Sequence, residues 1–293
     1  MIASGNIKDG SVNCIIRRIS NETLEQTHRK FLKVKWTLSV HKKTSNLACW
    51  GDTGRMPLVI TLTKQVKDYF NRLQAMDATN EDTLVRHAFA EQRDLNLPWY
   101  NNVTKSTVTL SNNEGDTIHS GIEFRKQAES LFHELWADSM SCSSKLKFYA
   151  SIKDSIGYEP YLSMKNKEKR TALARLRSSS HRLNIEIGRY AKENNIWEKC
   201  CTTCTAEAAE DFLQLPFAEP IIEDEQHVLV TCPRYHHIRS AVNSDLLCKL
   251  LRWEWKEVFN DTNISDLASY VQRIFQERFP KSKQQQQRTR RHP

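Results

Sequence analysis

Cys201 and Cys204 form a Cys-x-x-Cys hook, the spacing at which two thiolates can turn onto one ion. His227 and Cys232, separated by four residues and beyond a 22-residue insert (Thr205–Gln226), can supply the other half. Four soft ligands from two hooks suit a tetrahedral zinc ion, one per chain. With all four corners taken by protein, no position remains for water, so such a site is structural and not catalytic. Cys200 is an alternative to Cys201, although the hook spacing favours Cys201. The same residues also read as two buried cysteine pairs on packed helices, because free cysteine is among the most buried residue types. A redox reading of the hook needs a βαβ setting that the surrounding pattern does not offer. Cys14, Cys49, Cys142 and Cys248 are isolated and read as core fillers. The Glu223-Asp224-Glu225 run reads as a solvated turn, one carboxylate at most orienting His227 from behind.

The elements that position these residues are mainly helical. Val66, Phe70 and Leu73 share one face of Thr63–Leu73, and Phe124, Ala128, Leu131, Phe132 and Leu135 recur at helical spacing. Leu146–Ile152 reads as a shorter helix. Leu267, Tyr270, Val271, Ile274 and Phe275 make a last one, stopped by Pro280. Val103–Leu110 is the best strand candidate. Breaks fall near Gly54–Pro57, Leu97-Pro98 and Asn112–Asp116. Directly before the first hook, Lys165–Arg189 carries eight Lys/Arg against two Glu, a net +6. Leu173, Leu176, Ser180 and Leu183 give it an apolar stripe, so it reads as one amphipathic basic helix. Residues 281–293 are glutamine-rich and basic and read as a disordered tail.

Composition narrows the class. The chain has 293 residues, long enough to bury a core without a metal or disulfide to rescue it. Eight glycines are few, which argues against turn-rich all-β folds and glycine-rich phosphate loops. No run is long and apolar enough to span a membrane, and the opening residues lack a signal-peptide pattern. An intracellular home, cytoplasm or nucleus, is therefore expected, where cysteines serve metals more often than disulfides. The net charge of +8 permits a nucleic-acid partner.

Several motifs stand in a familiar order. Ala172–Tyr190, the Cys201/Cys204 hook, Glu223-Asp-Glu-Gln-His227 and Cys232-Pro-Arg-Tyr235 together resemble the region after the reverse transcriptase domain of non-LTR (LINE-type) retrotransposon polyproteins. Upstream, Lys43-Thr-Ser-Asn46 and Gly51-Asp-Thr-Gly54-Arg-Met-Pro57-Leu58 resemble the segment after the polymerase thumb in the same elements, so the likeness runs from about residue 24 to about 240. It implies a thumb-like remnant (1–57), a helical connector (58–164), a basic helix (165–198), a CCHC zinc-knuckle-like module (199–240), C-terminal helices (241–280) and the tail. It places the zinc ligands on Cys201, Cys204, His227 and Cys232, and sets the basic stretch near template RNA or target DNA. On that basis Lys169, Arg170, Arg175, Arg177, Arg182 and Arg189 are expected to meet phosphates, and Tyr190 or Tyr235 to stack on unpaired bases. The long insert departs from the short acidic loop of the family.

The sequence lacks the marks of catalysis. Polymerase chemistry needs paired aspartates for two metal ions, and no Asp-Asp dipeptide occurs. The nuclease of some relatives needs a Pro-Asp, also absent, and Glu254-Trp-Lys256 is a lone acidic-x-Lys match. The expectation is a non-catalytic binder of RNA or single-stranded DNA, which a separately encoded palm would complete as an enzyme. The alternatives are an inert relic and, with less support, a degenerate nuclease.

Overall fold

The computed structural model describes residues 23–33, 37–79, 82–108, 121–190, 195–205, 220–260 and 264–280. In chain order its α-helices are α1 (Thr23–Lys33), α2 (Asn46–Thr53), α3 (Leu58–Thr79), α4 (Leu84–Asp94), α5 (Pro98–Val108), α6 (Gly121–Ser141), α7 (Lys147–Ile152), α8 (Lys167–Arg177), α9 (Asn184–Gly188), α10 (His236–Arg239), α11 (Ser244–Leu251), α12 (Trp255–Asn260) and α13 (Ile264–Arg278). Short 3-10 turns cover Ser144–Leu146, Pro160–Ser163, Ile196–Lys199 and Pro233–Tyr235, and a π-helical turn covers His227–Thr231. The mainly α class expected from the sequence is the observed one; among the described residues β pairing is confined to two isolated bridges.

Two compact units form, and they cut across the sequence divisions. One contains the described residues of Met1–Lys30 and Met56–Asp138, the other those of Phe31–Arg55 and Ser139–Pro293. In the first, Phe70 and Leu73 of α3, Phe89 of α4 and Val103 of α5 form one buried cluster, with Tyr100 packed against it. The Phe70 and Phe89 rings meet edge to face at 5.8 Å. Val103 belongs to a helix here, which corrects the strand expected over Val103–Leu110 as far as Val108. Pro98 opens the helix at its first position, where no N–H is needed, and the packing of Tyr100 and Val103 outweighs the modest β preference of the threonines and valines. Leu110, the Asn112–Asp116 break and the 281–293 tail lie outside the described residues.

In the second unit α8 packs along α13. Ala172, Leu173 and Leu176 face inward from α8, and Leu267, Tyr270, Val271 and Ile274 from α13. The segment 165–189 is not one helix. It breaks after Arg177, where Ser179 takes φ 47°, the Ser179 N–H bonds Leu176 O at 3.2 Å and the Ser180 N–H bonds Arg175 O at 2.8 Å. That is a Schellman closure with serine in the left-handed place usually held by glycine.

The centre of this unit is ionic. Asp52 of α2 accepts from Tyr149 Oη at 2.8 Å, Tyr161 Oη at 2.7 Å and Arg177 Nη2 at 2.9 Å. Arg177 also reaches Glu159 at 3.1 Å, and Lys153 closes the network on Glu159. Burial pushes the Tyr149 and Tyr161 hydroxyls well above their usual range, and the Asp52 charge adds to it. Gly54 ends α2 at φ 62°, and a Cβ there would lie 2.7 Å from the Tyr158 backbone nitrogen. The Gly51–Gly54 motif therefore docks α2 against the 157–159 backbone, with Glu159 N–H on Asp52 O at 2.9 Å.

Candidate metal centre and basic groove

The first hook is fixed by a scrap of antiparallel pairing. Cys200 bridges Ile222, the Cys201 N–H bonds Ile221 O at 2.8 Å and the Glu223 N–H bonds Lys199 O at 2.8 Å. The second hook is fixed by the π-turn. The Cys232 N–H closes on His227 O at 2.8 Å, an i to i+5 bond that returns Cys232 to the side of the chain that carries His227. Buried Val228, Leu229 and Val230 anchor the turn in the core. Arg239 caps it from beneath, donating to Leu229 O and Cys232 O at 3.2 and 2.7 Å.

The hooks bring Cys201, Cys204, His227 and Cys232 together, all buried, with ligand atoms within 4.8 Å of one another. Cys201 Sγ and Cys232 Sγ are 3.8 Å apart, Cys204 Sγ and Cys232 Sγ 4.0 Å, and Cys204 Sγ and His227 Nε2 3.5 Å. Such a cluster could hold a metal ion. Cys200 stands outside it, its Sγ directed to Ile196 O at 3.4 Å. The hydrogen bond shared by the Cys201 and Cys232 sulfurs lowers Cys201 from its usual value against the effect of burial, while the same partnership pushes the Cys232 thiol up.

The surroundings of the cluster differ from the solvated acidic turn expected. Glu223 is 2% exposed and receives Arg278 Nε at 2.8 Å. Glu225, also buried, accepts from Ser179 Oγ at 2.6 Å and lies 2.9 Å from His181 Nε2. Asp224 caps the turn, accepting the His227 backbone N–H at 2.8 Å. The partner of the imidazole is none of these acids. It is Thr231, whose Oγ1 lies 2.9 Å from His227 Nδ1 and leaves Nε2 directed at the sulfurs. Most of the insert (206–219) lies outside the described residues.

The basic stretch divides by function. Arg177 is 1% exposed and locked to Asp52 and Glu159, so it cannot meet a phosphate. Tyr235 is 1% exposed and cannot stack on a base. These two placements correct the sequence reading: apolar packing and buried carboxylates claim them. Arg170 is half-buried and donates to Met164 O at 2.9 Å, and Arg189 is committed to Glu186 at 2.6 Å. Neither these two nor Lys169 lines the groove that the remaining ones form.

Arg175, Arg182 and Tyr190 line one groove of about 1240 Å³ in the second unit. The His41–Thr44 loop, which the sequence reading missed, also lines it. Ser180 Oγ holds that loop, accepting from the His41 N–H at 2.9 Å and Thr44 Oγ1 at 2.7 Å. Lys42, Lys43 and Lys145 join the lining, with Phe275 and Phe279 as its apolar side. Arg175 donates to Ser39 O at 3.1 Å, and burial together with the Arg182 charge lowers its guanidinium from the usual value. Neither Arg175 nor Arg182 makes an ion pair with a carboxylate among the described residues. Elsewhere, Glu254 and Lys256 face different partners: Lys256 pairs with Asp154 at 2.7 Å, and Glu254 lies 4.0 Å from Arg252.

No helix among the described residues is long and apolar enough to cross a membrane. Comparison with family models, curated proteins and solved structures finds no match to this chain.

Proposed function

We propose that this chain is a non-catalytic, nucleic-acid-binding piece of a non-LTR retrotransposon reverse transcriptase polyprotein. It takes RNA or single-stranded DNA in the basic groove, and a single structural zinc ion holds the fold beside it. The observation that carries the binding function is the groove itself, where cations from three separate chain segments converge and, among the described residues, neither Arg175 nor Arg182 forms an ion pair with a carboxylate. Repulsion between neighbouring guanidiniums costs energy that a bound phosphate recovers.

The fit to zinc rests on the donor set. Three sulfurs and one imidazole nitrogen are the ligands of structural zinc, and bonds of ~2.3 Å to sulfur place tetrahedral sulfurs about 3.8 Å apart, as the cluster already has them. Cys201, Cys204, His227 Nε2 and Cys232 would hold the ion, which joins the two hooks and does no chemistry.

Binding of a fluorescent oligonucleotide, followed by anisotropy, tests the function. With four phosphates contacted, log affinity falls against log salt with a slope of roughly −3. Arg175→Gln with Arg182→Gln reduces that slope by about 1 to 2. Affinity that is flat between low and moderate salt removes the proposal. For the ion, metal analysis gives one zinc per chain, and finding none removes the site.

A further inference from the structure

We infer that Tyr190, with Lys43 and Lys145, forms a nucleotide subsite that admits the strand base-first, so that the groove takes an unpaired polynucleotide and rejects a duplex. The inference rests on the nucleic-acid function proposed for the groove and assigns its specificity to a ring and two lysines, which come from three separate segments of the chain.

Tyr190 follows α9 at the groove rim and its side of the residue open to solvent is large, 59% of the maximum. The Lys43 and Lys145 ammonium groups lie 5.1 and 5.8 Å from its ring centroid. Lys145 is anchored: its Nζ donates to Tyr190 Oη at 3.3 Å and pairs with Glu186 at 3.3 Å. Glu186, held by Arg189 as well, is thereby neutralised and does not repel an incoming phosphate. Lys43 is held at the ring by cation–π attraction, which is weak at an exposed site. Stacking of a nucleobase on an aromatic ring is the stronger interaction. The base therefore displaces the Lys43 ammonium from the ring, and the flexible stem carries that charge to the flanking phosphate.

Pairing blocks this exchange, because both faces of a paired base are covered by its neighbours in the stack. The rest of the lining agrees. Ile187, exposed beside Tyr190, and Phe275 and Phe279 offer apolar surface to bases, which a duplex keeps inside and away from the protein. The cations by themselves would serve either form.

The experiment compares strands of about 12 nucleotides, within the ~4–16 that single-strand sites span. The probes are oligo-uridine RNA, oligo-thymidine DNA, an abasic DNA strand of equal charge, and a blunt duplex. The unaltered protein binds both base-bearing strands more tightly than the abasic strand or the duplex, and the RNA and DNA arms show whether the sugar matters. Tyr190→Ala weakens the base-bearing strands by roughly 10-fold and leaves the abasic strand unchanged; Tyr190→Phe keeps the preference. Lys43→Gln lowers the salt slope by about 1 for the base-bearing strands. Equal loss on abasic and base-bearing strands, or a duplex bound as tightly as the single strands, overturns the inference while the groove's function stands. Absence of salt-dependent binding to any of the four probes overturns that function itself.

Discussion

Arg175 and Arg177 stand two residues apart in α8 and meet opposite fates. Arg175 lies in the groove, whereas Arg177 is sealed beneath it by Asp52 and Glu159. An α-helix turns about 200° over two residues, so one side of α8 serves the surface and the other the core. Breaking a buried pair from one side strands the other charge, at a cost of about 3–5 kcal/mol. Asp52→Asn is accordingly expected to lower the unfolding free energy of the second unit by that amount, measured by urea unfolding, whereas Arg175→Gln leaves it within about 0.5 kcal/mol. At the cluster, Thr231 fixes the imidazole. Thr231→Val removes that partner and is expected to weaken zinc binding about 10- to 100-fold in competition with a chromophoric chelator, with the helical content unchanged. A zinc affinity that Thr231→Val leaves intact would show that the π-turn alone aims the ring.

The elements were legible where local pattern governed them. The inward faces of α6 and α13 follow from apolar spacing, and the hook spacing of Cys201, Cys204, His227 and Cys232 brought out the cluster, because each hook is a short-range device. In α3 Phe70 and Leu73 face inward as expected, but Val66 is exposed and Lys67 is buried in its place. Where a distant partner decides, the pattern misleads. Val103 was expected in a strand because the Phe70–Phe89 cluster that claims it is formed by other helices. The stop after Arg177 was missed because serine, not glycine, takes the left-handed position. The groove was half-read, since part of its lining comes from residues 41–44, far from the basic stretch in sequence. At α2 the constraint is steric. Gly54→Ala adds a Cβ at φ 62° and 2.7 Å from a backbone nitrogen, so it is expected to cost more than about 2 kcal/mol, read from the shift in thermal midpoint. Tyr149 and Tyr161, which hold Asp52 from α7 and the 160–163 turn, give this centre a pH signature. Their hydroxyls keep their protons in the folded state to well above pH 10, while the unfolded chain releases them near pH ~10. The stabilisation is complete below that pH and is lost as pH rises, at up to ~1.4 kcal/mol per pH unit for each tyrosine. Tyr149→Phe is expected to lower stability at pH 8 and to flatten its decline above pH 10.

At the scale of the molecule, the two units carry separate cores. The first is built around Phe70, Leu73, Phe89 and Val103, and the second around the Asp52–Arg177 centre, the α8–α13 contact and the Cys/His cluster. The zinc ion proposed for the cluster would join only the hooks of the second. Structural zinc contributes on the order of 10 kcal/mol to folding in small modules, more than the whole stability of many domains. Here Val228, Leu229 and Val230 share that task, and Arg239 and Arg278 tie the hooks to α10 and α13, so the loss should be local before it is global. Removing zinc with a chelator, or by Cys204→Ser, is expected to abolish amide protection in residues 199–205 and 220–232. Protection in α3 and α4 of the first unit persists, and so does protection in the middle of α13, whose core partner is α8. Hydrogen exchange read by mass spectrometry separates these segments. If α3 loses protection together with the hooks, folding is a single event and the two units do not unfold separately. If residues 220–232 keep theirs without metal, the buried π-turn suffices and the ion is not structural.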